Sequence, residues 1–306
     1  MNSLSQAILV VSPIIILLAI GKILIHTGLI DKLFIQSANK LAYSFFLPAL
    51  LFSSVSRADM SALFDGRTML AGLLGTGIVL IMTLLLSKWI GFPKLQRGVI
   101  VQGSFRANIG IIGLALCANL LGDDGLALAS VLLGIMVPIF NILSVWVLVL
   151  YSGASKRASD VALQVIKSPL VIAIALAIPF SIWSIPLPEV LTKTTGLLGQ
   201  VTLPLALICI GASLVINEFS TRWKPILLIV IGKMFLFPAA TTAIAWFLGV
   251  EGDALAVVII MSMAPTAAAS FSAAQQLGGD TALAADAVAI TTILSLPIYM
   301  LVIYYL

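Results

Sequence analysis

Apolar runs of about 20 residues, the length a helix needs to cross the hydrocarbon of a bilayer, follow one another along nearly all of this 306-residue chain. Read between charged and Pro/Gly punctuation, they predict ten spans: roughly 7–25, 38–56, 69–90, 98–121, 126–151, 167–184, 197–216, 226–248, 254–276 and 282–306. Only 9% of residues are charged, against about 25% in soluble domains, so the chain lacks the polar surface to cover itself with water. Disorder, nucleic-acid binding and a disulfide-built secreted fold are excluded. The expected fold class is an all-α integral membrane protein. Cys117 and Cys209 lie inside apolar runs and read as small packing residues.

The connections between spans are short, and the longest, about 152–166, reads as a basic cytoplasmic linker. The first run leads into a regular span without a basic start or cleavage pattern, so no cleaved signal peptide is expected. One set of alternate loops carries eleven basic residues: Lys22, Lys32, Lys40, Lys88, Lys94, Arg97, Lys156, Arg157, Lys167, Arg222 and Lys224. The other set carries three, Arg57, Arg67 and Lys193, together with acids such as Asp59, Asp65, Asp123 and Glu251. The net charge of +4 therefore reads as a topology signal. The basic set faces the cytoplasm and both termini lie outside.

The two halves superimpose at an offset of 156 residues. Leu47-Pro48-Ala49-Leu50-Leu51 falls on Leu203-Pro204-Leu205-Ala206-Leu207, Leu121-Gly122 on Leu277-Gly278, and Asp124 on Asp280. Equivalent positions are five spans apart, an odd number, so the second copy is inverted. The expected organisation is a first five-helix repeat over 1–151, a linker over 152–166 and a second, inverted repeat over 167–306. Carriers with inverted repeats place the substrate near the midplane, where Gly/Pro-interrupted helices of the two halves meet. The fourth and ninth spans fit that description. Gly103, Gly110 and Gly113 weaken the fourth, and Pro265 interrupts the ninth. Gln102, Ser104, Arg106 and Asn108 lie at the same depth as Ser262, Thr266, Ser270 and Ser272. If both helices break and cross, their N-terminal half-ends offer partial positive charge to an anion.

Three segments, FFLPALLF (45–52), GSFRANIGIIGLAL (103–116) and APTAAASFSAAQQLGGD (264–280), resemble the auxin efflux carrier family, as does the closing LSLP (294–297). That family includes bacterial carriers of malonate and related organic acids. The resemblance runs the length of the chain. It implies ten helices in two inverted five-helix repeats, similar to the bile-acid and sodium/proton antiporter folds, with helices 4 and 9 broken and crossing. Spans 1, 2, 6 and 7 would form a scaffold whose helices could pair in a homodimer, and the other six an elevator-like transport unit carrying organic anions. Arg106 and Asn108 match the family's Arg-x-Asn stretch, and Pro265 its proline in helix 9. Ile109 and Ala115 stand where many relatives have proline, so the first break would rest on glycines. The short linker, in place of the long central loop of plant members, favours a bacterial organic-acid carrier over hormone transport.

Each candidate residue has a competing reading. Arg106, roughly 12 Å below the cytoplasmic end at 1.5 Å per residue, either attracts a carboxylate or binds loop carbonyls and snorkels. Asn108 can donate to a carboxylate or bridge helices. Gln102, Ser104, Ser262 and Thr266 are binding candidates or routine packing contacts, and Pro265 marks either the crossing or an ordinary kink. Lys233, in the eighth span, could balance substrate charge, carry a coupled proton or snorkel. Asp286 could pair with Lys233 or Arg106, or be solvated at the interface. Pro48 and Pro204 bend the scaffold helices or act as hinges, and His26 reads as an interface residue.

No Walker-type motif is present, so energy would come from H⁺, Na⁺ or substrate counterflow, with no cofactor and no metal. The leading expectation is a secondary carrier of small carboxylates such as malonate or malate, or of auxin-like acids, in the bacterial inner membrane. The alternatives are an anion channel and a sodium-coupled, bile-acid-like symporter. With one histidine and no zinc motif or aspartyl dyad, enzyme chemistry has little material.

Overall fold

The computed structural model describes residues 3–58, 65–152, 168–214 and 219–305. Past Ser152, the predicted linker with Lys156 and Arg157 lies outside the described residues, as do Asp59 and Lys167. Every regular element among the described residues is helical. In chain order these are α1 (Ser3–His26), α2 (Lys32–Leu41), α3 (Leu47–Arg57), α4 (Gly66–Trp89), α5 (Lys94–Phe105), α6 (Leu114–Ser152) and α7 (Pro169–Ile182). They continue as α8 (Glu189–Ser213), α9 (Phe219–Val230), α10 (Phe237–Phe247), α11 (Gly252–Met263), α12 (Ala269–Leu277) and α13 (Thr281–Tyr305).

Three π-helical segments join some of these helices: Ala42–Phe46, Ile109–Gly113 and Ile231–Leu236. Two of them stand directly ahead of a proline at the start of the next helix, Pro48 in α3 and Pro238 in α10. Proline has no N–H and crowds the carbonyl four residues back. Widening the preceding turn absorbs that mismatch and keeps the helix running. Pro204, the counterpart of Pro48 in the sequence repeat, sits inside an uninterrupted α8. The paired prolines therefore have different local backbones.

Among the described residues six helical runs are long and apolar enough to cross a membrane, and Pro169–Ile182 and Gly252–Met263 are shorter apolar helices. The longest run, Ile109–Ser152, has 44 residues, about 66 Å at 1.5 Å per residue and twice the bilayer core. It is divided at Gly122, whose φ of 65° and ψ of −149° leave the helical region. All but Gly252 of the described residues with positive φ recur at near-constant spacing. Gly28 and Ser184 are 156 apart, Gly91 and Gly249 158, and Gly122 and Gly278 156. Trp89, Trp246 and Phe247 on the outer surface are 77–86% exposed, a shell that lipid covers and water would not.

Helix starts are capped by the side chains that precede them. Asp31 accepts from Phe34 N at 2.7 Å and Asp65 from Arg67 N at 2.9 Å; Asp280 accepts from Leu283 N at 3.0 Å. Arg67 also hydrogen-bonds Asp65 and holds its carboxyl below the usual carboxylate range. A second donor of Arg67 reaches the Gly249 carbonyl at 3.0 Å, tying the start of α4 to the turn between α10 and α11.

Packing gathers the helices into two groups. In the first, α8 lies against α1, α2 and α3, and α3 against α7. In the second, α4, α5, α6 and α9 to α13 enclose the two interrupted helices. Within the first group α1 and α8 cross backbone on backbone. A Cβ at Gly21 would overlap the Ile208 carbonyl oxygen, and one at Gly211 the Leu18 carbonyl oxygen. Glycine is what allows helices in a bilayer to approach this closely. An apolar core joins the groups, with Ile14, Leu47 and Leu51 packed into the same cluster as Ile111, Ile112 and Met261.

Candidate functional site at the crossing of two interrupted helices

The chain leaves helical geometry twice within apolar sequence, after Phe105 and after Met263. The two unwound segments lie antiparallel, with Ala107 bridged to Thr266. Asn108 N donates to the Pro265 carbonyl at 2.7 Å, and Ala267 N to the Arg106 carbonyl at 2.9 Å. Peptide groups freed at this depth have no water to bind, so they must find protein partners or face a cavity. Here each segment supplies partners for the other. The first interruption falls at Arg106–Asn108; the predicted breakers Gly110 and Gly113 lie in the π segment that follows it. The reason is the pairing itself, since the backbone turns extended where it meets the other chain segment.

Three further carbonyls, those of Gly103, Ile260 and Ser262, are met by side chains. Thr266 Oγ1 donates to Gly103 O at 2.8 Å, and Tyr299 Oη to Ile260 O at 2.9 Å. Thr291 Oγ1 accepts from Thr266 N at 3.0 Å. Lys233 Nζ donates to Ser262 O at 2.8 Å and lies over the Phe237 ring, 4.1 Å from its centroid. Fully buried, Lys233 does not snorkel.

Two helical segments begin at the crossing, the π segment leading into α6 and the helix α12. Their first N–H groups lack partners within their own helices and carry the positive end of the dipole. Asn108 is the N-cap of the first, yet its side chain makes no capping bond, and the residue is 3% exposed. Nearby, Gln102 Oε1 and Ser270 Oγ are buried with no hydrogen-bond partner among the described residues. Gln102 Nε2 reaches Ser270 O only at 3.5 Å. Orphaned polar atoms are rare in folded proteins, and besides serines such as Ser53, Ser54 and Ser144 elsewhere, these two lie at the crossing.

The other predicted site residues are placed differently. Arg106 is half-buried, and its Nη2 donates to Asn141 Oδ1 on α6 at 2.6 Å. Ser104 and Ser262 turn their hydroxyls onto their own helices, to Ile100 O at 2.7 Å and Ile259 O at 2.9 Å. Ser272 is exposed on the far side of α12. Asp286 pairs with neither Lys233 nor Arg106. It is buried and lies 3.5 Å from Arg222, because α13 packs on α9 and Arg222 sits at the non-helical kink of α9. Asn141, Thr291 and Tyr299 escaped the sequence reading. Asn141 had a readable signal, as the only amide in an otherwise apolar span; the other two are ordinary span residues until α13 is seen against the break.

A cavity of about 460 Å³ opens between the two helix groups. Ser53 and Arg57 of α3 and Gln200 and Pro204 of α8 line one wall; Asn119 and Asp123 of α6 line the other. Asn119 Nδ2 also reaches across to Val10 O of α1 at 3.2 Å. The family model described as "Membrane transport protein" matches residues 7–160 and 155–303. The chain belongs to this family, the auxin efflux carrier family. An uncharacterised transporter of Methanothermobacter thermautotrophicus is 22% identical over 294 residues, spanning 94% of each chain. Family and fold together make this a multi-pass membrane protein of transport, embedded in a lipid bilayer.

Proposed function

We propose that the chain is a secondary active transporter of small organic anions, carboxylates of the malonate or malate kind or auxin-like acids, working by elevator-type alternating access. One observation carries this reading: two helix starts, an uncapped Asn108 and the orphaned Gln102 and Ser270 oxygens meet at the crossing. A carboxylate accepts from N–H groups and from the Asn108 amide, and the dipole ends favour its charge. The Ser270 hydroxyl can donate to it directly and the Gln102 amide oxygen, an acceptor, can join it through a bridging water, whereas a neutral apolar guest would leave both unmet.

The ten-helix, inverted-repeat arrangement has support beyond the sequence offset. The left-handed residues recur at 156–158 residue spacing, and both interruptions fall in the fourth helix of their half. The two stretches of the family match also divide near the linker, at 155–160. Elevator motion draws support from the two packed groups and from the cavity between them, which gives a guest a route beside the crossing unit. On this reading α1, α2–α3, α7 and α8 stay fixed, are the natural surface for a homodimer, and keep Pro48 and Pro204 as candidate hinges. Both termini lie outside a bacterial inner membrane, and a proton, Na⁺ or counterflowing substrate supplies the energy.

Reconstitution in liposomes tests this. Labelled malonate or malate should accumulate by counterflow, saturate, and compete with other carboxylates. Asn108→Ala should lower uptake at least tenfold with its melting temperature unchanged. Non-saturating flux that shows as single-channel conductance would instead make the protein a channel. Wild-type kinetics in Asn108→Ala would remove this residue from the site.

A further inference from the structure

The carbonyls freed at the crossing are answered in two ways. Gly103 O and Ile260 O meet neutral hydroxyls, and Arg106 O and Pro265 O meet backbone N–H groups. Ser262 O alone is answered by an ammonium, that of Lys233. That residue is 0% exposed and makes no ion pair among the described residues. Its other neighbour is the face of Phe237, a favourable seat for a cation. Ser262 also lies in the last turn of α11, where the helix dipole is negative and a cation is stabilised.

Unwound carbonyls and half-helix C-terminal ends are where carriers with interrupted helices coordinate a coupling ion. We propose that Lys233 is a tethered substitute for that ion, so that this protein holds its crossing together without Na⁺. The inference rests on the carrier reading and deepens it, assigning the coupling position to a side chain. A second observation marks the place as cation-ready. Thr241 Oγ1 is 2% exposed and has no partner among the described residues. It lines a small cavity of about 20 Å³ together with Ser262 and Phe237, room for about one water. With the lysine stem removed, the Ser262 carbonyl, the Thr241 hydroxyl and water would form an oxygen cage for a hard cation.

The test needs no substrate, so its outcome is separate from that of the transport assay. Wild type, Lys233→Ala and Lys233→Gln are purified in detergent. Their melting temperatures are compared in NaCl and in choline chloride at equal ionic strength, and ²²Na⁺ binding is measured. Wild type should melt alike in both salts and bind no ²²Na⁺. Lys233→Ala should be stabilised by several degrees in NaCl over choline and bind ²²Na⁺ saturably. Lys233→Gln keeps a donor for Ser262 O without the charge and should be destabilised in choline. Saturable Na⁺ binding by wild type overturns the proposal, as does indifference of Lys233→Ala to Na⁺. If Lys233→Ala yields no folded protein in either salt, Lys233→Gln decides: wild-type stability in choline overturns the proposal, and a loss of stability there upholds it.

Discussion

Two helix crossings in this molecule have opposite chemistry. Where α1 passes α8, glycines at 21 and 211 bring backbone onto backbone, and no side chain fits between. Where the interrupted helices meet, the backbone is opened out, and carbonyls and N–H groups are answered by Thr266, Thr291, Tyr299 and Lys233. The first crossing is held by close packing of helices that run uninterrupted through it. The second exchanges internal bonds for external ones and leaves helix ends aimed at a common point. Close backbone packing comes from the one and exposed helix-dipole ends from the other, and the two lie in different helix groups.

The largest effect should come from forcing the dry crossing apart. Gly211→Leu places a side chain where the Leu18 carbonyl stands. Overpacking of this kind costs about 3 kcal/mol or more, read as lost thermal stability in detergent. A smaller loss is expected at the polar crossing. Thr266→Val keeps the shape but strips the hydroxyl from Gly103 O, and an unmet buried carbonyl costs about 1–3 kcal/mol. Thermal unfolding checks it, and a neutral result would mean that water reaches Gly103. The smallest effect is expected outside both crossings. Asp65 is held below its ordinary range by Arg67, so its stabilising contribution is present above the unfolded-state carboxylate value. That contribution fades as pH falls through the lower folded value. Asp65→Asn should therefore shift melting slightly at pH 7, and the shift should shrink as pH falls below the ordinary carboxylate range, as a melting series over pH would record.

That the chain is all-helical and crosses a membrane several times was legible because the bilayer imposes one length and one polarity on a spanning helix. The neighbourhood of both interruptions was legible too, since Pro265 and a cluster of glycines in apolar sequence have few other uses. What satisfied the freed groups was not. Thr291 and Tyr299 gain their roles only when α13 lies against the break, a relation between distant stretches that no local pattern encodes. Asp286 illustrates the same gap. Its charge was visible, but its neighbour Arg222 was assigned to a loop. Local turns were also hidden: Pro48 widens its helix into a π segment, while Pro204, in a matching context, does not.

The contact between the two helix groups is mostly hydrocarbon, with Asn119 to Val10 as one polar link across it. Hydrocarbon has no directional preference, so a leucine displaced along such a surface trades one aliphatic neighbour for another at nearly equal energy. If the chain works as proposed, a greasy seam of this sort would serve as a bearing, keeping the two groups together while leaving their relative height weakly fixed, with the Asn119 amide as a detent.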